Sequence, residues 1–321
     1  MSITDMPLSE LKTYMGSSPC PGDIDAFWDE SVAGLKNIDA DVEFIPSSFK
    51  APGIECYEMY FTGAGGARIH AKFAKPASIN GKAPAVLRYH GYTFNSGDWC
   101  EKLNYAATGF VTAALDCRGQ GGLSEDNGQV KGNTLQGHII RGLDEQDPRK
   151  LYYHNVFLDA VQLAHIIMAL PYVDETRVGC YGASQGGALS FVCAALEPRI
   201  NRIAPMFPFL SDYKRACNMF PVVHPYAELK EYFRSFDPLR KHEEEIYMKL
   251  GYIDIQNITP RIKALVRMYT GFMDDICPPS TQFAAYNKIP GDRKTFVLYP
   301  DFGHEMLPGC SDEVLLYMLE M

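Results

Sequence analysis

Six short apolar runs, at residues 85–89, 111–115, 178–181, 203–207, 264–269 and 295–298, are separated by longer stretches with helical character. Strands buried on both faces read as nearly continuous apolar runs, and joining such strands in parallel needs a crossover, usually a helix. The rhythm therefore predicts an α/β chain with a mostly parallel central sheet flanked by helices. Residues 57–62 and 67–73 alternate in character around Gly63-Ala64-Gly65-Gly66, the pattern of a hairpin, which would add an antiparallel edge. The longest helix candidate, about 152–170, spaces Val156, Asp159, Ala160, Leu163 and Ile167 along one face and stops at Pro171.

Two segments break the rhythm. Residues 1–40 form short helical patterns around a turn-rich stretch at 16–22, and Ile24-Asp25-Ala26-Phe27-Trp28 opens an amphipathic helix; together they read as a packed N-terminal extension. Residues 211–257, with charged helical stretches such as 239–250, fall between two core strands and read as a cap-like insertion. With 321 residues, 46% apolar and 21% charged, the chain is expected to fold as a single domain over 1–321. Its 39 acidic against 30 basic residues give a formal charge of −9, which argues against nucleic acid or an anionic membrane as the main partner and suits a neutral substrate. No signal-like N-terminus and no run of about 18 apolar residues is visible, so a cytoplasmic protein is expected. Nine cysteines, odd in number and without a C-x-x-C pair, read as free thiols.

The chemistry is concentrated in Gly182-Ala183-Ser184-Gln185-Gly186-Gly187. A serine hydroxyl is a weak nucleophile and must be presented to a base on a sharply bent piece of backbone. Residues 177–181 read as the strand entering that bend and 188–196 as the helix leaving it, the strand-turn-helix elbow of an α/β-hydrolase fold. Ser184 is the expected nucleophile. The oxyanion of its tetrahedral intermediate needs two fixed donors: the backbone amide of Gln185, and one from the loop after an early strand, where His90-Gly91-Tyr92 offers the amide of Tyr92. His90 precedes the serine and reads as a loop-stabilising residue.

In this fold the nucleophile is followed along the chain by the acid and then the base. His224, His242 and His304 follow Ser184; the first two fall in the insertion, whereas His304 lies just beyond the strand at 295–298. His304 is the expected base. The acid should end the preceding strand, where Asp274 is the choice and Asp275 the alternative; its work is to orient the imidazole. No H-E-x-x-H occurs, so no metal site is expected, and Gly119-Gln120-Gly121-Gly122 is no dinucleotide fingerprint. No cofactor is expected. The sequon Asn257-Ile258-Thr259 carries no weight without a secretion signal.

Taken in order, His90-Gly91-Tyr92 with Gly97-Asp98, Arg118-Gly119-Gln120-Gly121, Gly182-x-Ser184-Gln185-Gly186-Gly187, Gly271-x-x-Asp274 with Pro278-Pro279, and Gly303-His304-Glu305 resemble the family 7 carbohydrate esterases, the acetyl xylan esterases and cephalosporin-C deacetylases. The likeness runs from Asp5-Met6-Pro7 to His304. It implies a triad of Ser184, Asp274 and His304, oxyanion amides on Tyr92 and Gln185, structural roles for Arg118 and Gln120, an acetylated carbohydrate of small size as substrate, and a homo-oligomer, a hexamer in the family. Phe272 stands where the family commonly has Leu, a packing change only. Two other readings stand beside this one: a thioesterase, peptidase or broader carboxylesterase on the same fold, and a catalytically silent binding protein.

Overall fold

The computed structural model describes residues 5–219 and 224–321. Its centre is a nine-stranded sheet: β1 (Glu43–Pro46), β2 (Ile54–Thr62), β3 (Arg68–Pro76), β4 (Ala83–Tyr89), β5 (Val111–Leu115), β6 (Val173–Ala183), β7 (Arg202–Met206), β8 (Leu265–Gly271) and β9 (Lys294–Tyr299). The spatial order is β1-β2-β3-β5-β4-β6-β7-β8-β9. β5, β4, β6, β7, β8 and β9 run parallel, while β1, β2 and β3 form the antiparallel edge that the hairpin pattern predicts. This is the α/β-hydrolase arrangement.

The helices are α1 (Leu8–Leu11), α2 (Ile24–Leu35), α3 (Trp99–Ala107), α4 (Tyr152–Ala169), α5 (Gln185–Leu196), α6 (Tyr213–Asn218), α7 (Ala227–Phe236), α8 (Glu243–Leu250), α9 (Pro279–Asn287) and α10 (Cys310–Leu319). Every residue of α5 is buried, as befits a helix apolar around its whole circumference; it packs on β6, β7 and α4. α6, α7 and α8 lie between β7 and β8, in the segment that interrupts the strand rhythm. Within it only Glu243–Leu250 of the expected 239–250 stretch is α-helical. The Asp237 carboxylate accepts from the Lys241 and His242 amides, both at 2.8 Å, so a local side-chain turn around Pro238 competes with the helix there.

The N-terminal extension is stitched to that insertion and to α9. Tyr14 donates to Asp212 at 2.7 Å, the Ser17 and Ser18 amides donate to the same carboxylate at 3.0 and 2.9 Å, and Trp28 Nε1 donates to the Tyr252 carbonyl at 3.0 Å. Asp5 accepts from Arg215 and from the Ser280 amide, each at 2.7 Å. α2 lies on α4, where the Trp28 indole stacks on the buried His154 ring with centroids 5.3 Å apart.

Candidate active site

Ser184 sits at the step from β6 into α5 with φ 58° and ψ −118°, a conformation that costs a non-glycine residue on the order of 1–3 kcal/mol and persists only where the surroundings impose it. They do so here. A Cβ on Gly186 would stand 2.0 Å from the Tyr89 carbonyl oxygen, and one on Gly182 would stand 2.4 Å from the same atom. The bend therefore closes only if both positions lack side chains. The Ser184 amide donates to Met206 O at 2.9 Å, and the Phe209 amide donates to Ser184 O at 3.1 Å, which pins the elbow to the end of β7.

Asp274 and His304 meet across the ends of β8 and β9. His304 Nδ1 lies 2.8 Å from Asp274 Oδ2. The Asp274 carboxyl is buried and accepts from the Ile276 and Cys277 amides at 3.0 and 2.7 Å and from Gln282 Nε2 at 3.3 Å. Burial pushes its pKa up, the hydrogen bonds from His304 and these amides pull it back, and it stays above the ordinary carboxylate value. Asp275, the alternative, is exposed. The His304 ring rests on Phe207, centroids 4.5 Å apart, so it is confined from one side by packing and from the other by the carboxylate. His242 is 65% exposed beside Glu245, and the His224 ring lies 6.0 Å from that of Tyr92. Among the described residues no hydrogen bond joins Ser184 to His304, and the buried Cys277 thiol lies near the serine. Such bonds are often long or misaligned in unliganded sites.

Among the described residues neither the Tyr92 nor the Gln185 amide donates to a backbone carbonyl in a turn or loop, as expected of a helix's first N–H in the case of Gln185. Their spacing is set by side chains. Gln185 and Gln120 exchange amide hydrogen bonds, Gln120 Nε2 to Gln185 Oε1 at 2.8 Å and Gln185 Nε2 to Gln120 Oε1 at 3.1 Å. Gln120 Oε1 also accepts from the Thr93 amide at 2.8 Å, and Tyr153 donates to Gln185 Oε1 at 3.1 Å. The elbow and the loop carrying Tyr92 are thus tied through one glutamine pair. His90 Nδ1 lies 2.7 Å from Gly91 O, and its Nε2 accepts from the Cys117 amide at 2.9 Å. Burial lowers its pKa, and a ring that donates at Nδ1 and accepts at Nε2 is neutral.

Arg118 lies behind this layer, 1% exposed, with Nε 2.7 Å from Asp159 Oδ2 and Nη2 2.7 Å from Asp159 Oδ1. Nη2 also donates to Ala64 O at 2.7 Å, and the Ala64 amide donates to Asp159 at 2.9 Å. Burial opposes the guanidinium charge, Asp159 more than offsets it, and the Arg118 pKa stands above its ordinary value. A bidentate pair of this kind joins α4 to the loop after β2 and holds the start of the 118–121 turn.

The Acetyl xylan esterase (AXE1) family model matches residues 1–321. The chain belongs to the acetyl xylan esterase family. The solved structure of acetyl xylan esterase 1 from Thermoanaerobacterium sp. JW/SL YS485 is 52% identical, over 98% of this chain and 99% of that one, with a TM-score of 0.96. The acetyl xylan esterase from Paenibacillus sp. R4 is 34% identical over the same shares, with a TM-score of 0.93. The acetyl esterase Axe7A of Xylanibacter ruminicola is 26% identical over 295 residues, 89% of this chain; the chain spans 64% of that relative's length.

Several residues of the site had no signal in the sequence. Gln282 reaches back from α9 to Asp274 and also donates to Cys277 O at 2.6 Å. Cys277 lies near both Asp274, to which its amide donates at 2.7 Å, and Ser184, and its thiol is pushed well up by burial. Tyr152, Tyr153 and His138 surround the Gln120–Gln185 pair and Tyr92. A Pro-Pro start to α9 marks a helix there, but nothing in the spacing says which of its polar residues turns inward.

Proposed function

We propose that this protein is a serine esterase that removes O-acetyl groups from small acetylated carbohydrates, xylo-oligosaccharides in the first place, and that also accepts cephalosporin C. The observation that carries the reading is the pair formed by the buried Asp274 and the partly buried His304, 2.8 Å across, beside the strained Ser184 elbow at the end of β6. In the proposed reaction Ser184 Oγ attacks the acetyl carbonyl while His304 Nε2 takes its proton, and Asp274 holds the opposite ring nitrogen as the donor. The oxyanion is met by the Tyr92 and Gln185 amides, each worth about 3 kcal/mol in such sites. His304 returns the proton to the departing alcohol, then draws one from water as it hydrolyses the acetyl-enzyme. The residues of the site need no metal or organic cofactor for these steps. We further propose that residues 1–321 act as one unit, with 211–257 as a cap, in a cytoplasmic homohexamer.

Ser184→Ala should abolish hydrolysis of p-nitrophenyl acetate and of acetylated xylo-oligosaccharides while leaving the fold intact. Activity that survives the substitution would overturn the reading. The wild-type enzyme should prefer acetyl over butyryl and longer esters and leave peptide amides untouched; preferential amide cleavage would point to a peptidase instead. A monomer in solution scattering would count against the hexamer.

A further inference from the structure

Glu228, on α7 of the insertion, is a buried acid that the steps above do not use. It is 1% exposed. Oε1 accepts from the Ile140 amide at 2.7 Å, while among the described residues Oε2 has no hydrogen-bond partner. Among the described residues it pairs with no lysine, arginine or histidine. Removing a carboxylate from water without a cation is expensive, so such a group must be held in place by its surroundings.

Its free oxygen lies where the Tyr92 hydroxyl also arrives. A Cβ on Gly137 would stand 1.6 Å from Glu228 Oε2 and 2.7 Å from the Tyr92 oxygen, so carboxyl and phenol converge over a residue that has no side chain. The Tyr92 hydroxyl in turn accepts from the His138 amide at 2.9 Å and lies 2.9 Å from His138 Nδ1. His138 packs on Tyr152, centroids 4.4 Å apart, and Tyr152 accepts from Gln120 Nε2 at 3.1 Å. The loop at 137–140 is thus the seat of the Tyr92 side chain, and the acid from α7 fastens that loop.

We propose that Glu228 is a positioning residue for the oxyanion amide of Tyr92, clamping the 137–140 loop under the Tyr92 ring so that the inserted helix and the oxyanion loop hold one geometry. The inference rests on the reading of Tyr92 as an oxyanion donor. The Tyr92 main chain is then located from both sides, by Gln120 through the neighbouring Thr93 amide and by Glu228 through the ring. Groups facing the carboxyl are Tyr92, Tyr153 from α4, Tyr213 from α6 and Glu231 from its own helix, with His138 beyond Tyr92. None is a cation at neutral pH, since burial lowers the His138 pKa as well. Burial pushes Glu228 up to about 7. A pKa raised on folding means that the protonated form fits the clamp, and that its contribution is lost as pH rises through about 7.

The test uses Glu228→Gln and Glu228→Ala in the full chain, with p-nitrophenyl acetate as probe. Gln keeps the acceptor for Ile140 and mimics the protonated acid; it should retain kcat within about threefold. Ala should lower kcat about tenfold with KM within about twofold, less than outright loss of an oxyanion donor because the amide is displaced rather than removed. The wild type should show a decline in kcat above pH 7 that the Gln variant lacks. Superimposable pH profiles for wild type and Gln would overturn the proposal, and so would an Ala variant with wild-type kcat. If Ala fails to fold, the comparison of the wild-type and Gln profiles decides. Loss of hydrolysis in Ser184→Ala sustains the esterase reading whichever way the Glu228 variants behave.

Discussion

Asp159→Asn removes half of the bidentate grip on Arg118 while leaving the volume of the side chain unchanged. The native carboxylate takes three donors, Arg118 Nε, Arg118 Nη2 and the Ala64 amide. An asparagine can offer one oxygen and must turn an NH2 toward one of those donors, leaving a buried guanidinium short of its counter-charge. Breaking a buried pair by removing one partner costs about 3–5 kcal/mol. With about 2 cal/mol/K of unfolding entropy per residue, a chain of 321 residues loses about 5–8 °C of Tm for that cost. Differential scanning calorimetry measures the shift, and kcat on p-nitrophenyl acetate at 25 °C measures what remains of the chemistry. A structural Arg118 requires the Tm to fall by several degrees while kcat stays within about threefold. A variant with unchanged Tm and kcat reduced tenfold or more would refute the reasoning and place Arg118 among the groups that act on substrate.

Asp274→Asn should reduce kcat by a factor on the order of 10³–10⁴ through loss of the correct imidazole tautomer, whereas the exposed Asp275→Asn should change it less than about threefold; equal losses at the two positions would reject the assignment. His154 gives a prediction in acid. Burial lowers its pKa from 6.5 to about 4, so the fold holds the neutral ring, and this stabilisation is complete above about pH 6.5 and lost as pH falls through about 4. The contribution is on the order of 3 kcal/mol, and urea unfolding between pH 7 and 4 should show His154→Phe losing less stability on acidification than the wild type. Parallel losses for the two proteins would show that His154 is not the source.

What the sequence made visible is what its periodicity exposes. β5 is buried at all five positions, so its side chains read as one apolar run, and the parallel order of the sheet follows from such runs and the helices between them. The elbow is equally legible, because its glycines answer to a local clash with Tyr89 O. β1 has only Phe44 partly buried and shows no alternation to detect; it exists because β2 offers an open edge. α9 buries eight of its nine residues, among them Ser280, Thr281 and Gln282, and polar side chains that turn inward to distant partners look like surface in one dimension. Glu228 escaped for the same reason, and so did the partner of Asp159, although the helical spacing put Asp159 itself on the packed face. Each acid stands in a helix with other polar residues nearby, and the partner that explains it lies 41 or 88 positions away.

The stitching of the N-terminal extension bears on how the chain comes to be assembled. Tyr14, Ser17 and Ser18 bind Asp212, about 195 positions later, and Leu11 and Tyr14 receive Asn287, more than 270 positions later. A ribosome adding about 5–20 residues per second delivers those partners on the order of ten seconds or more after the first helix has emerged. Residues 11–18 therefore wait, without the contacts that will bury them, until nearly all of the hydrolase core is available to receive them.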